Sequence, residues 1–300
     1  MTSANLKSLK EDRSHGSESF RCAFYTVAPE DKYFHVPLHW HDELEIIYFK
    51  KGNFTLEINL EHYTVQTECL FFINSGELHR IICEEPCQES AVLFSPYLLN
   101  FVTNDAAQSE ILLPLAKQKL GLPRCIASDH VSFKDLLMEY QRLSSVFMEN
   151  QNAASEKSYQ LFIKASLLNI LGHLSTRKLL YTAKSTHNES IEGIKAVITY
   201  IHDHYSERIF IRDLAALVNL NEQYFCRFFK KAIGKSPISY LNEYRICKAM
   251  ELLSGTSLSV TEICLECGFN NIGNFLREFR RQTGSTPLQY KKSVASKKSK

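Results

Sequence analysis

The sequence predicts an α+β multidomain chain: an N-terminal β-barrel, a helical region after it, and a C-terminal all-α domain. Three observations predict this. Short apolar runs separated by turn residues fill 20–94, helical periodicity takes over after Pro96, and the last hundred residues repeat themselves at an offset of 50.

The length, 300 residues, suits two domains, and 44% hydrophobic residues is ample for two cores. No apolar run approaches the roughly 18–20 residues a membrane helix needs. Residues 1–20 are polar and charged without an apolar stretch, so no secretory leader is expected, and 1–19 reads as a flexible arm. Nine cysteines, an odd number scattered from Cys22 to Cys267, are not a disulfide framework. Reduced thiols in a cytoplasmic protein are the simpler expectation. The net charge of +2 hides an asymmetry: 191–300 carries 17 basic and 10 acidic residues, leaving 18 basic and 23 acidic in 1–190. A basic end on an acidic body points to a polyanionic partner.

In chain order, Phe20–Val27, Leu44–Phe49, Phe54–Ile58, Cys69–Ile73 and Ala91–Phe94 read as short strands. Turns at Lys51-Gly52-Asn53 and Asn74-Ser75-Gly76 separate them, the spacing of a sandwich or small barrel over 20–110. Ser132–Glu149 and Ala153–Tyr181 read as helices of a packing or dimerisation region spanning 111–182. In the second, Leu161, Ala165, Leu168, Leu171 and Leu174 form a stripe that needs a partner, either the barrel or a second copy. Residues 183–190 are polar and read as a linker; 191–292 is helical; 293–300 is a basic tail expected to fray.

The repeat carries the functional argument. Phe225-x-Arg227-x-Phe229-Lys230-Lys231-x-x-Gly234-x-Ser236-Pro237-x-x-Tyr240 matches Phe275-x-Arg277-x-Phe279-Arg280-Arg281-x-x-Gly284-x-Thr286-Pro287-x-x-Tyr290. Asn221, and Asn270 or Asn271, can cap a helix start, and each Phe pair lies one turn apart on a core face. Gly234 and Gly284 stop the helix, while Ser236-Pro237 and Thr286-Pro287 start the next. A short helix precedes each unit, Ile211–Val218 and Val260–Cys267, joined by a tight turn. Short helix, tight turn and basic second helix make a helix-turn-helix, one over about 211–233 and one over about 260–283.

With the phenylalanines inward, Gln223, Arg227 and Lys230 face out, with Lys231 beside them. In the second unit Asn271, Asn274, Arg277 and Arg281 are the candidates, with Arg280 alongside. Arg and Gln read base edges in the major groove; the late basic residues Lys230, Lys231, Arg280 and Arg281 suit phosphates. Pro237–Leu253 has no internal Gly or Pro and predicts one helix of roughly 25 Å. Such a strut can set two reader helices about one turn of B-DNA, roughly 34 Å, apart.

Residues 191–292 resemble the DNA-binding domain of the AraC/XylS family of bacterial transcription regulators. The resemblance rests on Leu214-Ala215, Cys267-Gly268-Phe269, Phe275-x-Arg277-x-Phe279-Arg280 and Gly284-x-Thr286-Pro287-x-x-Tyr290. It implies a helix of each unit in the major groove, and a promoter activator that contacts RNA polymerase. Gly273, early in the second reader helix, offers no base-reading side chain.

In the N-terminal half, His39-x-His41-x-x-x-Glu45 followed by Gly52, then Gly76-x-x-His79, resemble the two cupin motifs. In cupin enzymes the equivalents of His39, His41, Glu45 and His79 bind a metal. In AraC-type sensors the resemblance implies barrel architecture and a pocket for a small organic effector such as a sugar. The second is the reading taken: no cofactor, with His39, Trp40, His41, Glu45 and His79 at an effector pocket, to which Tyr48 and Phe72 could contribute. Cys264-x-x-Cys267 lacks a second pair to complete a zinc site and reads as core. Cys83 and Cys87 follow His79 closely, and thiol chemistry there is an alternative. The whole then reads as a homodimeric, non-enzymatic, cytoplasmic regulator that binds double-stranded DNA. The competing readings are a cupin metalloenzyme with an accessory nucleic-acid-binding domain, and a nonspecific DNA-binding protein.

Overall fold

The computed structural model describes residues 9–11, 15–27, 34–149, 157–182 and 189–298. The chain divides into two compact units, Lys10–Thr186 and His187–Lys300. Most of the expected linker, 183–188, lies outside the described residues.

The first unit begins with eight strands: β1 Cys22–Thr26, β2 Phe34–His39, β3 Leu44–Lys51, β4 Phe54–Ile58, β5 Glu61–Val65, β6 Cys69–Ile73, β7 His79–Cys83 and β8 Gln88–Phe94. After them come α1 Leu113–Ala116, β9 Leu120–Gly121, β10 Cys125–Ala127, α2 Phe133–Glu149, α3 Lys157–Thr176 and β11 Tyr181–Thr182. Two antiparallel sheets form, ordered β1-β8-β3-β6-β10 and β2-β7-β4-β5, with β9 and β11 paired separately. Between the sheets lies a core of Ile47, Phe49, Phe54, Leu56, Phe71, Ile73, Ile81 and Leu93. The other face of the five-stranded sheet, with Leu44, Ile46, Leu70, Phe72 and Val92, packs on Leu136 and Leu143 of α2 and Ile163, Leu167 and Ile170 of α3.

Because both faces of β3 are covered, Leu44–Phe49 is buried without a break and, apart from Glu45, apolar rather than alternating. The edge strand β2 instead alternates half-buried and exposed residues and holds Pro37, which an edge tolerates because no ladder donor is needed there.

Three expectations are corrected here. The stripe on α3 has a different phase: Leu161 and Ala165 are exposed, and the buried face runs through Tyr159, Ile163, Ser166, Leu167, Ile170, Leu171 and Leu174. A helix apolar on most sides leaves the phase to be set by the surface it meets. The described part of 1–19 is not loose: the Glu11 N–H donates to the Trp40 carbonyl at 2.9 Å, and His15 is buried. Its polar composition conceals contacts set by the fold. The described part of the tail is helical, because the last helix continues to Lys298.

The second unit holds α4 Glu189–His204, α5 Ile211–Leu217, α6 Glu222–Ile233, α7 Pro237–Gly255, α8 Val260–Glu266, α9 Ile272–Thr283 and α10 Pro287–Lys298. Asn221 Oδ1 accepts from the Tyr224 N–H (2.9 Å) at the start of α6, and Asn271 Oδ1 from the Asn274 N–H (3.0 Å) at the start of α9. Ser259 and Glu262 form a reciprocal capping box on α8. Gly234 and Gly284 end α6 and α9 in the left-handed conformation, φ 82° and 72°. The helix α7 runs 19 residues, two longer than the sequence indicates, or about 28 Å at 1.5 Å per residue. Among the described residues no helix is long and apolar enough to cross a membrane.

Candidate nucleic-acid interface and ligand site

The two reader helices are built alike. Phe225, Phe229, Phe275 and Phe279 are fully buried, and each such side chain contributes roughly 1.5–3 kcal/mol on leaving water. That anchoring turns the opposite face outward. Gln223, Arg227, Lys230 and Lys231 are all exposed on α6, and Asn271, Arg277, Arg280 and Arg281 on α9. Asn274 is half-buried, and its Oδ1 accepts from Arg277 Nη2 at 2.6 Å. Arg281 donates to Glu278 of its own helix at 2.7 Å and 3.1 Å. One exposed aromatic was missed: Tyr224, 51% exposed on α6, occupies the repeat position of Asn274. Its phenol has no counterpart in the matched residues, so the repeat gave no pointer to it. Cys264 and Cys267 are buried in the core of the second unit, as read.

At one end of the barrel three imidazoles meet. Ring centroids of His39 and His79 are 4.2 Å apart, His41 and His79 5.1 Å, and His39 and His41 5.5 Å. The Nδ1 of each faces a backbone carbonyl: Pro37 for His39 (2.9 Å), Glu43 for His41 (3.2 Å), Glu77 for His79 (2.8 Å). A carbonyl only accepts, so each Nδ1 carries a hydrogen and each neutral ring keeps its lone pair on Nε2. Glu45 Oε2 lies 3.4 Å from His79 Nε2 and 3.6 Å from His41 Nε2.

Burial pulls the His39 pKa down to about 3, helped by His79 and His41. Burial also opposes charge on His41, but the carboxylates of Glu45, Glu43 and Glu11 outweigh it and raise that pKa. Burial works against ionised Glu45 too; there the two histidines prevail and hold its carboxyl below the usual range.

The cupin pattern implies a divalent metal at this place, and the residues fit one. One donor atom from each of His39, His41 and His79 lies within 4.8 Å of the others. His41 Nε2 and Glu45 Oε2 are buried without hydrogen-bond partners. Histidines whose Nδ1–H is tied to a carbonyl present Nε2 as metal ligands commonly do. His39, His41, His79 and Glu45 would hold the ion, which supplies positive charge and Lewis acidity.

Trp40 is buried beside the cluster, but Tyr48 and Phe72 are not part of it. Both lie on the sheet face that packs on α2 and α3, the Tyr48 hydroxyl donating to Glu68, because strand alternation sends them opposite to Glu45. Cys83 and Cys87 are buried free thiols. The sequence reading also missed Glu11 and His15, which the fold brings to the histidines from the N-terminal segment. No periodicity or motif marks them.

Comparison with known proteins matches both units. A family model described as an AraC-like ligand binding domain matches residues 21–171, and one described as a helix-turn-helix domain matches 214–293. The chain belongs to the AraC family. Its AraC-like ligand-binding domain contains the barrel and the histidine cluster, and its helix-turn-helix domain contains α6 and α9. It is thus a ligand-responsive, DNA-binding transcription regulator. YdeC of Bacillus subtilis (strain 168), an uncharacterized HTH-type transcriptional regulator, is 28% identical over 291 residues, covering 96% of both chains. The HTH-type transcriptional activator RhaS of Klebsiella pneumoniae (strain 342) is 25% identical, over 91% of this AraC-type chain and 94% of its own. A crystal structure of the DNA-binding domain of AdpA with a target DNA is 28% identical, covering 35% of this chain and 95% of that one, TM-score 0.34.

Proposed function

We propose that this regulator reads two successive major-groove segments of promoter DNA, one with α6 and one with α9. Gln223, Arg227, Asn274 and Arg277 read base edges, and Lys230, Lys231, Arg280 and Arg281 grip phosphates. Asn271 caps α9 and leaves its amide nitrogen to the DNA. The observation that carries the reading is the matched exposure of Arg227 and Arg277, 50 residues apart, each opposite a fully buried Phe pair.

The barrel end with His39, Trp40, His41, Glu45 and His79 takes a small effector, and the chain acts as a sensor rather than a catalyst. It works as a homodimeric activator that engages RNA polymerase, in the cytoplasm. Leu161 and Phe162, 67% and 62% exposed on α3, support self-association. The domains are the barrel over 20–110, the helical region over 111–182, a linker at 183–190 and the DNA reader at 191–292.

Footprinting on a cognate promoter tests it. Two protected patches about one helical turn apart, with roughly 10³-fold preference over bulk DNA, are expected. A single patch, or no preference, overturns it.

A further inference from the structure

The N-terminal segment brings a second carboxylate to the histidine cluster. Glu11 is fixed there by its backbone: Lys10 bridges to Trp40, and the Glu11 N–H donates to the Trp40 carbonyl at 2.9 Å. Its Oε2 then sits 3.4 Å from His39 Nε2 and 3.5 Å from His15 Nε2. His15 is itself buried and held through Nδ1 by the Tyr25 hydroxyl at 2.9 Å.

This arrangement sets acceptors against acceptors. With Nδ1–H directed at Pro37, neutral His39 presents a lone pair to the Glu11 carboxylate. On the other side, the Nε2 atoms of His41 and His79 face Glu45 Oε2 at 3.6 Å and 3.4 Å. His15 Nε2, His41 Nε2 and Glu45 Oε2 are all buried without hydrogen-bond partners. Electron-rich atoms held this close call for a cation among them. Three imidazoles and two carboxylates are a donor set for a first-row divalent ion such as Zn²⁺, Ni²⁺, Co²⁺ or Fe²⁺.

We propose that Glu11 is a carboxylate ligand of a divalent metal held by His39, His41, His79 and Glu45, so that metal binding ties the N-terminal segment to the barrel. Glu11 lies outside the four-residue motif, and its part follows from its place in this fold alone. The proposal rests on the barrel end being a ligand site. It does not depend on how α6 and α9 meet DNA. Docking of the segment and uptake of the ion are then linked, each strengthening the other by the same factor.

The chain carries one tryptophan, Trp40, between two of the histidines and paired to the segment in question, so its emission reports on the site. Full-length protein is stripped with a chelator and titrated with Zn²⁺ against a chromophoric competitor. Trp40 emission and the rate of tryptic cleavage after the exposed Lys10 are followed in parallel. The native chain takes up one equivalent, its emission shifts, and cleavage slows. Glu11→Gln, nearly the same shape, binds Zn²⁺ at least about tenfold more weakly and loses the protection. Its thermal midpoint without metal checks that it is folded. Unchanged Zn²⁺ affinity in Glu11→Gln overturns the role of Glu11. No stoichiometric uptake by the native chain overturns the metal itself. Either failure leaves the promoter footprint, and with it the DNA-reading proposal, untouched.

Discussion

Arg245 Nε donates to the backbone carbonyl of Tyr205 at 2.7 Å, joining the middle of α7 to the residue after α4. Its Nη2 donates to the Glu207 carbonyl at 2.6 Å, and its guanidinium lies 5.5 Å from the ring centroid of Phe269. One nearly buried side chain thus satisfies the loop after α4 and packs on the turn of the second helix-turn-helix. Arg245→Met keeps the volume and removes both donors, leaving two carbonyls short of partners. Each charge-assisted bond is worth about 1.5–3 kcal/mol, so a loss of roughly 3 kcal/mol or more is expected. Urea unfolding of the full chain, followed at the C-terminal transition, measures it; an unchanged midpoint contradicts the assignment.

Gly268 and Gly284 both adopt positive φ, 75° and 72°, but differ in what surrounds them. A Cβ on Gly268 meets the Tyr205 carbonyl oxygen at 2.6 Å and Ser206 backbone atoms at 2.8 Å, whereas one on Gly284 meets nothing within 4 Å. Gly284→Ala carries only the left-handed penalty of roughly 1–2 kcal/mol. Gly268→Ala adds a backbone collision in the same loop that Arg245 holds, and is expected to cost distinctly more. Equal losses in parallel denaturation curves would exclude that reading.

Arg227→Ala and Arg277→Ala are each expected to weaken binding to a cognate promoter by about 1–3 kcal/mol with little effect on bulk DNA. Lys231→Ala should weaken both alike and lower the slope of log affinity against log salt by about one. Arg281, already held by Glu278, should matter less than Lys231. Binding isotherms at several salt concentrations separate these outcomes.

How much of this was legible in the sequence depended on where each residue's partners lie. Phe225, Phe229 and Asn221 announce α6 because cap and core face are local. Leu44–Phe49 announces β3 because both its faces are buried. Strands β2, β5 and β7 went unread, since His35, Pro37, Glu61 and His62 on the edge strands, and His79 and Arg80 on β7, blur the apolar pattern. On α3, Leu161 and Phe162 are as apolar as Ile163 and Leu167, so only the sheet it packs on decides which are covered. His39, His41, Glu45 and His79 were found by their spacing. Glu11 and His15 were invisible, because a bridge between Lys10 and Trp40 brings them there, 30 residues away in sequence.

Cys125 is expected to be the first thiol to react with iodoacetamide. It is exposed, while Cys22, Cys69, Cys83, Cys87, Cys264 and Cys267 are buried. The neighbouring Cys69 thiol, hydrogen-bonding to Cys125, draws the Cys125 pKa down, whereas burial pushes Cys247 up to about 12. The thiolate is the nucleophile, so both exposure and pKa favour Cys125. Peptide mapping after a short pulse near neutral pH should find the label there, and Cys125→Ser should remove the fast phase. Label appearing first on Cys226 would refute the order.

Glu77 links the turn before β7 to the histidine cluster. Its carboxylate accepts from Arg124 Nη1 and Nη2 at 2.7 Å and 2.6 Å and from the Asn74 N–H at 2.8 Å, while its carbonyl faces His79 Nδ1 at 2.8 Å. Arg124 Nη1 also donates to the Phe72 carbonyl at 2.8 Å. The pair is largely buried and bidentate, so Glu77→Gln keeps the shape but loses the charge that holds the guanidinium. A loss of about 2–3 kcal/mol is expected, lowering the melting midpoint of the barrel unit by roughly 5–10 °C. Arg124→Lys cannot form the fork and should fall by a similar amount. If Arg124→Lys melts with the native chain, charge alone rather than the two-pronged geometry holds this turn.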